Sequence, residues 1–282
     1  MIPASFDYDS PRTLGEALAL LASRGEDAKL LAGGHSLLPA MKLRLAQPPA
    51  LIDLGRIPGL SYIREAHDGL ALGAMTTHAA VAASDLLRRN CPLLAETAAA
   101  IGDVQVRNRG TLGGSLAHAD PAADYPAAIL ALDAELVTIS ESGERVIKAR
   151  DFFTGMFATA LRPDEILIEV RVPRTGTAGT AYKKFHHPAS GFAVVGVAAV
   201  VKTKAGRIEG ASVGITGVAE RAYRAAAVEQ ALRAQAAIAD AAAHAADGVE
   251  ALGDHFASSE YRAHLAAVFT RRALEEARAR AR

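Results

Sequence analysis

The stretch Asp103-Val104-Gln105-Val106-Arg107-Asn108-Arg109-Gly110-Thr111-Leu112-Gly113-Gly114-Ser115, continuing as Leu116-Ala117-His118-Ala119-Asp120-Pro121-Ala122-Ala123-Asp124, decides how the chain is read. It is too polar and too rich in glycine for a buried strand, and it lies between two alanine-rich apolar segments that read as helices. The expectation is a loop held in place. Paired glycines at 113 and 114 permit positive φ and keep side chains away from a ligand, so backbone N–H groups can face an anion such as a phosphate. Thr111 and Ser115 bracket the pair with hydroxyls that donate and accept. An ordinary tight turn is the plain alternative for one such pair.

A second loop of the same kind is Ala32-Gly33-Gly34-His35-Ser36, between the apolar Leu30-Leu31 and the helical turn Leu37-Leu38-Pro39-Ala40-Met41. The N–H groups of that turn would also favour an anion. Two glycine loops can grip one diphosphate. Neither the G-x-G-x-x-G spacing of doubly wound dinucleotide folds nor the G-x-x-x-x-G-K-S/T phosphate loop occurs. Spacing alone therefore leads to a phosphate-bearing cofactor in a different fold.

Taken together, Ala32 to Ser36, Thr111 to Ser115 and Asp120-Pro121-Ala122-Ala123-Asp124 resemble the FAD-binding medium subunits of the molybdenum hydroxylases. That family includes the flavoprotein subunits of the carbon monoxide dehydrogenase type and the flavin domain of xanthine dehydrogenase, and the resemblance spans the whole chain. It implies an α+β fold, with a two-lobed FAD-binding domain of the PCMH/vanillyl-alcohol-oxidase type over 1–175 (lobes about 1–57 and 58–175). A C-terminal domain of the carbon monoxide dehydrogenase flavoprotein kind would occupy 176–282.

The resemblance also implies site residues. The backbone of Leu30, Leu31, Ala32, Gly33, Gly34, His35 and Ser36, and that of Thr111, Gly113, Gly114 and Ser115, would hold the FAD diphosphate and ribityl chain between the lobes. Asp124 matches a carboxylate that contacts FAD. Ile101 matches a packing position that is aromatic in xanthine dehydrogenase, and Leu167 an apolar residue beside the flavin. Either Lys183 or Lys184 matches a lysine near the cofactor, where a cation would stabilise the reduced anion; a lysine on a strand surface is the alternative for either. Ser115 stands where several relatives carry Asn, which alters hydrogen bonding in detail only. His35 could bond phosphate or act only locally.

On this reading the chain is an electron-transfer oxidoreductase subunit. A molybdopterin-binding large subunit would act on the substrate, a 2Fe–2S small subunit would relay electrons, and FAD on this chain would pass them to NAD, a quinone or another acceptor. No side chain here would act as acid, base or nucleophile. A self-sufficient flavin oxidoreductase with its own small-molecule site is the alternative, and a scaffold without flavin a third reading.

Composition fits. The 282 residues can bury a sizeable core, and 31 basic against 31 acidic residues leave no net charge to favour nucleic acid. Cys91 is the single cysteine, so an all-cysteine iron–sulfur cluster would lie on another polypeptide; Cys91 itself reads as a buried, inert thiol. The N-terminal segment lacks a signal-peptide pattern, and the longest apolar run, 192–201, is too short to span a bilayer. A soluble, cytoplasmic protein without membrane insertion is expected. His186-His187 and His118-x-Asp120 lack a third metal ligand at a suitable spacing.

In chain order, Thr13-Leu14-Gly15-Glu16 is a capping box before a helix that Gly25 closes. Strands are expected at 29–32 and 50–54, and a hairpin from 60–63 and 70–72. Helices follow over 78–83, capped by Thr76 or Thr77, and over 92–100; 122–132 reads as a buried helix. A hairpin (135–140 and 145–149) and a strand at 166–172 lead to a linker at 174–180. Beyond it come three antiparallel strands (181–185, 192–202, 207–214), two alanine-rich helices within 223–246, and a long terminal helix over 258–280 with Tyr261, Leu265, Val268 and Phe269 on one stripe. Strands followed by helices indicate a separate α+β unit.

Overall fold

Three sheets order the chain in the computed structural model, which describes residues 1–282. The first is parallel, with Ala50–Asp53 between Asp7–Asp9 and Ala28–Leu31. Its crossover is the Leu14–Arg24 helix, which buries Ala17, Leu18 and Leu21 against Ala50 and Ile52. Thr13 caps this helix by accepting from the Glu16 N–H, while Glu16 reaches back to the N–H of Arg12 rather than of Thr13. Gly25 closes it at φ 56°, a conformation glycine adopts freely.

The second sheet has five antiparallel strands, in the order Ile63–Ala66, Gly69–Gly73, Ile166–Val172, Glu135–Ser140, Gly143–Lys148. Its first hairpin starts at Ile63, because Leu60 leaves the ladder to accept from the Met75 N–H. The Pro92–Ala99, Leu112–His118 and Tyr125–Ala131 helices share one apolar core with this sheet. Cys91 lies wholly buried within that core, where burial pushes its thiol up to about 12.

The C-terminal sheet is antiparallel and has four strands rather than three: Gly179–His186, Ala193–Lys204, Arg207–Thr216 and the short Tyr223–Arg224. Tyr223–Arg224 was expected to be helical; helices begin only at Ala226 (Ala226–Arg233) and Ile238 (Ile238–Ala242). The Ser259–Arg280 helix, capped by Ser258, covers one face of the sheet and buries Leu265, Phe269 and Leu274, while Tyr261 at the end of the expected stripe stays exposed. Tyr125–Ala131 covers the other face. A Cβ on Gly179 would overlap the Ala277 carbonyl, and one on Gly214 the Ala127 carbonyl, so each helix meets the sheet through a missing side chain. No helix is long and apolar enough to cross a membrane.

The segment expected to be a loop is two short helices, Val104–Arg109 and Leu112–His118. Asp103 caps the first through the Val106 N–H at 2.8 Å, and Thr111 caps the second through the Gly114 N–H at 3.1 Å. These caps satisfy orphan donors that otherwise disfavour so short a helix. A further helix, Asp85–Asn90, and the small hairpin of Phe153–Gly155 and Ala158–Thr159 lie outside the elements read from sequence.

Candidate cofactor site

The two glycine segments meet. A Cβ on Gly33 would overlap the carbonyl of Arg109 and crowd the Cα of Gly110, and one on Gly114 would lie 3.2 Å from the Ala32 Cβ. Glycine here serves close approach. Neither Gly113 nor Gly114 has positive φ, contrary to the expectation; among the four paired glycines only Gly34 does, at φ 76°. Gly113 is buried because its backbone packs on Ala74, where a Cβ would stand 2.5 Å from the Ala74 Cβ.

The segments also differ in what they offer an anion. In the second, the Leu112 N–H donates to Thr76 O, that of Gly113 to Ala74 O, that of Gly114 to Thr111 Oγ1 and that of Ser115 to Thr111 O. All these donors are spent inside the protein, which corrects the expectation that this pair would face a phosphate through its N–H groups. In the first segment the N–H groups of Gly33, Gly34, His35 and Ser36 donate to nothing in the chain. Gly33, Gly34 and Ser36 are half-buried, and donors left unmet on partly buried backbone favour an anionic ligand. His35 is exposed and its Nδ1 meets the Gly33 carbonyl at 3.1 Å, a local contact.

Around this junction the chain gathers most of the other candidates. Leu30 and Leu31 end the strand that enters the first segment. Leu167 lies beneath the second, on the strand whose Ile168 carbonyl accepts from the Ala74 N–H. Ile101 is half-buried, and its carbonyl accepts from Arg107 Nη1 at 2.8 Å, which ties it to the helix leading to Gly110. Asp124 is 4% exposed and accepts from Tyr182 Oη at 2.6 Å and from Lys184 Nζ at 2.9 Å. Lys184 Nζ also donates to the carbonyl of Ala100, 3.0 Å away and next to Ile101. Burial pushes the Asp124 carboxyl up, against the pull of Lys184 and the Tyr182 hydroxyl.

Strand alternation sends the two lysines to opposite faces of the sheet. Lys184 turns inward, with its side chain 7% exposed. Lys183 turns to the opposite face and pairs with Glu276 on the terminal helix, so it is not part of the gathered set. Three groups missing from the sequence reading belong beside these residues: Tyr182, whose signal was its place two residues before Lys184, Gly110, and His78. The His78 N–H donates to the Gly110 carbonyl, and its buried ring lies 5.3 Å from that of Tyr125. No cluster of three or more His, Cys, Asp or Glu side chains could hold a metal; His118 packs on Phe157, and His187 Nδ1 accepts from the Ala189 N–H.

A cradle of free backbone donors, a closely packed glycine junction and a buried lysine–aspartate pair define a nucleotide-cofactor protein. The family model described as FAD binding domain in molybdopterin dehydrogenase matches residues 4–175, and that described as CO dehydrogenase flavoprotein C-terminal domain matches 180–277. The carbon monoxide dehydrogenase medium chain of Hydrogenophaga pseudoflava is 41% identical over 99% of both chains. The glyceraldehyde dehydrogenase medium chain of Sulfolobus acidocaldarius is 34% identical over 98% of this chain and 99% of that one. A solved carbon monoxide dehydrogenase from H. pseudoflava superimposes with a TM-score of 0.97 at 42% identity, covering all of both chains. Quinoline 2-oxidoreductase from Pseudomonas putida 86 gives 0.93 at 33%, covering 99% of each. The chain belongs to the FAD-binding medium chains of the molybdenum hydroxylases; it is an oxidoreductase subunit and its cofactor is FAD.

Proposed function

We propose that this chain is the electron-transfer subunit of a heteromeric complex, taking electrons from an iron–sulfur subunit and passing them to an external acceptor such as NAD or a quinone. The observation that carries the reading is the run of unpaired N–H groups at Gly33, Gly34, His35 and Ser36, pressed against the Arg109–Gly110 backbone. FAD, when bound, supplies the redox chemistry.

The chain's own residues bind and orient it. Gly33 to Ser36 donate to the diphosphate, and Ala32, Leu30 and Leu31 fix that loop to its strand. Gly113 and Gly114 supply the narrow wall opposite, and Thr111 and Ser115 supply hydroxyls. Ile101 and Leu167 give apolar contact. Asp124 and Lys184 bring one carboxylate and one cation to the site from two parts of the chain. No step requires a side chain here to take a proton from an organic substrate, since a molybdopterin-binding large subunit acts on it. The domain division at about 175 separates FAD binding from the C-terminal unit, except that Lys184 crosses it.

The test is purification of the tagged chain expressed from its native locus. It should carry about one FAD and co-elute with chains that contain molybdenum and iron. A yellow chain recovered without either metal would overturn the electron-transfer reading.

A further inference from the structure

Gly179–His186 is an edge strand, and alternate residues of such a strand turn their backbone groups away from the neighbouring strand. No further strand covers that edge; two side chains do. Glu96, on the Pro92–Ala99 helix, accepts from the Tyr182 N–H at 3.3 Å, and Arg280, in the last turn of the terminal helix, donates through Nη1 to the Thr180 carbonyl at 2.8 Å. The two are themselves paired at 2.5 Å. Glu276, one turn before Arg280, holds Arg280 Nη2 at 2.5 Å, and the chain end closes on the linker where the Arg282 N–H donates to the Thr177 carbonyl at 2.9 Å. Four residues after Glu96, Ala100 offers the carbonyl that accepts from Lys184 Nζ at 3.0 Å. Four helical residues rise about 6 Å and two strand residues about 6.8 Å, so a helix that fixes Tyr182 through Glu96 meets Lys184 at Ala100. A slip of the strand by two residues would bring His186 or Tyr182 there in place of the lysine.

We propose that Glu96 and Arg280 are positioning residues for the cofactor: together they hold the strand edge in the register that delivers the Lys184 ammonium, and so tune the flavin potential without touching FAD. The inference rests on the reading above that places Lys184 at the flavin. The side chains of Glu96 and Arg280 are 35% and 43% exposed, and an ion pair so open to water contributes little stability of its own. What sets this pair apart is that each member also caps a backbone group of the strand carrying Lys184, one from before the linker and one from the far end of the chain. A cation near the flavin stabilises the reduced anion. At an effective dielectric constant of about 20, a cation that retreats from about 4 to about 6 Å loses roughly tenfold of that stabilisation.

The experiment is a reductive titration of the full chain against a reference dye, with FAD in excess, alongside thermal unfolding. Glu96→Ala and Arg280→Ala should each destabilise the reduced flavin by about tenfold, a fall in midpoint potential of about 30 mV for a two-electron couple. Glu96→Gln, which keeps an acceptor for the Tyr182 N–H, should hold the wild-type potential. The shared sign is the diagnostic result, because the field of the lost charges alone would raise the potential in Glu96→Ala and lower it in Arg280→Ala. Opposite shifts would therefore overturn the proposal, as would an equal fall in Glu96→Gln and Glu96→Ala. Wild-type potentials in both alanine variants would overturn it even if Tm fell, since the pair would then be a structural clasp only. Lys184→Met separates this inference from the reading beneath it. A lowered potential or lost flavin in that variant, beside unshifted alanine variants, removes the inference alone; a wild-type potential in Lys184→Met removes the placement of Lys184 at the flavin as well.

Discussion

Lys184 and Asp124 form the most consequential pair of side chains in the molecule. Both are almost wholly buried, at 7% and 5% side-chain exposure, and 2.9 Å apart. Removing one partner of a buried pair strands the other, at a cost of about 3–5 kcal/mol. Lys184→Met should therefore lower stability by that order and weaken FAD retention. Lys183→Met, which breaks a half-exposed pair with Glu276, should cost under about 1 kcal/mol and leave flavin content unchanged. Equal losses in chemical denaturation would show that the inward lysine has been misassigned. His78 carries the pH dependence at this scale. Burial, with His35 and Arg107 facing it, lowers its pKa from 6.5 to about 4, and its other neighbour, Tyr125, is uncharged, its own pKa raised by burial. The folded state holds the neutral ring, so the unfolded chain binds more protons between these values. Its stabilising share is complete above 6.5 and is lost as pH falls towards 4. The Tm gap between wild type and His78→Gln should narrow over that interval; a constant gap would exclude His78 as the titrating group.

The elements around the cofactor were legible to different degrees. The helix start at Thr13 was readable because a hydroxyl with Glu three residues on, before an apolar run, has few other uses, whereas Thr76 and Thr77 stayed open until the structure chose Thr77, and Ser258, read as the first helical residue, is the cap. The strand Ile166–Val172 was readable from its bounded run of β-branched and apolar residues. The Asp103–Ser115 segment was misread: helices of six and seven residues are too short to show a period, and glycine in a helix is explained only by what it touches, here Ala74. The register of Lys183 and Lys184 was equally closed, since it depends on which sheet face the Asp124 helix covers. Contact, rather than conformation, governs Gly33, Gly113 and Gly114, and this can be tested. Gly33→Ala should raise the dissociation constant for FAD, followed by fluorescence quenching, because the methyl group would push the donor loop off the Arg109 carbonyl. Gly113→Ala should in addition destabilise the fold by about 1–3 kcal/mol through overpacking on Ala74. Wild-type FAD affinity in Gly33→Ala would refute the close-approach account.

On the scale of the whole molecule, the proposed site draws on the FAD-binding domain and on the first strand of the C-terminal sheet. The Tyr125–Ala131 helix lies against the C-terminal sheet through Gly214, and Lys184 reaches from that sheet to Asp124 at the start of the same helix. FAD binding and the seating of the C-terminal sheet should therefore be coupled. Gly214→Val, which touches no proposed cofactor residue, is expected to reduce both Tm and flavin retention; calorimetry with and without FAD would reveal one transition becoming two. Full flavin retention in that variant would mean that the sheet is dispensable to the site. The enclosed sulfur of Cys91 has a practical corollary. Since the sole native thiol is walled off and held protonated, a cysteine introduced on the exterior, for example at Leu45, would be the only position open to a maleimide dye, giving a uniquely labelled chain without prior removal of the natural one.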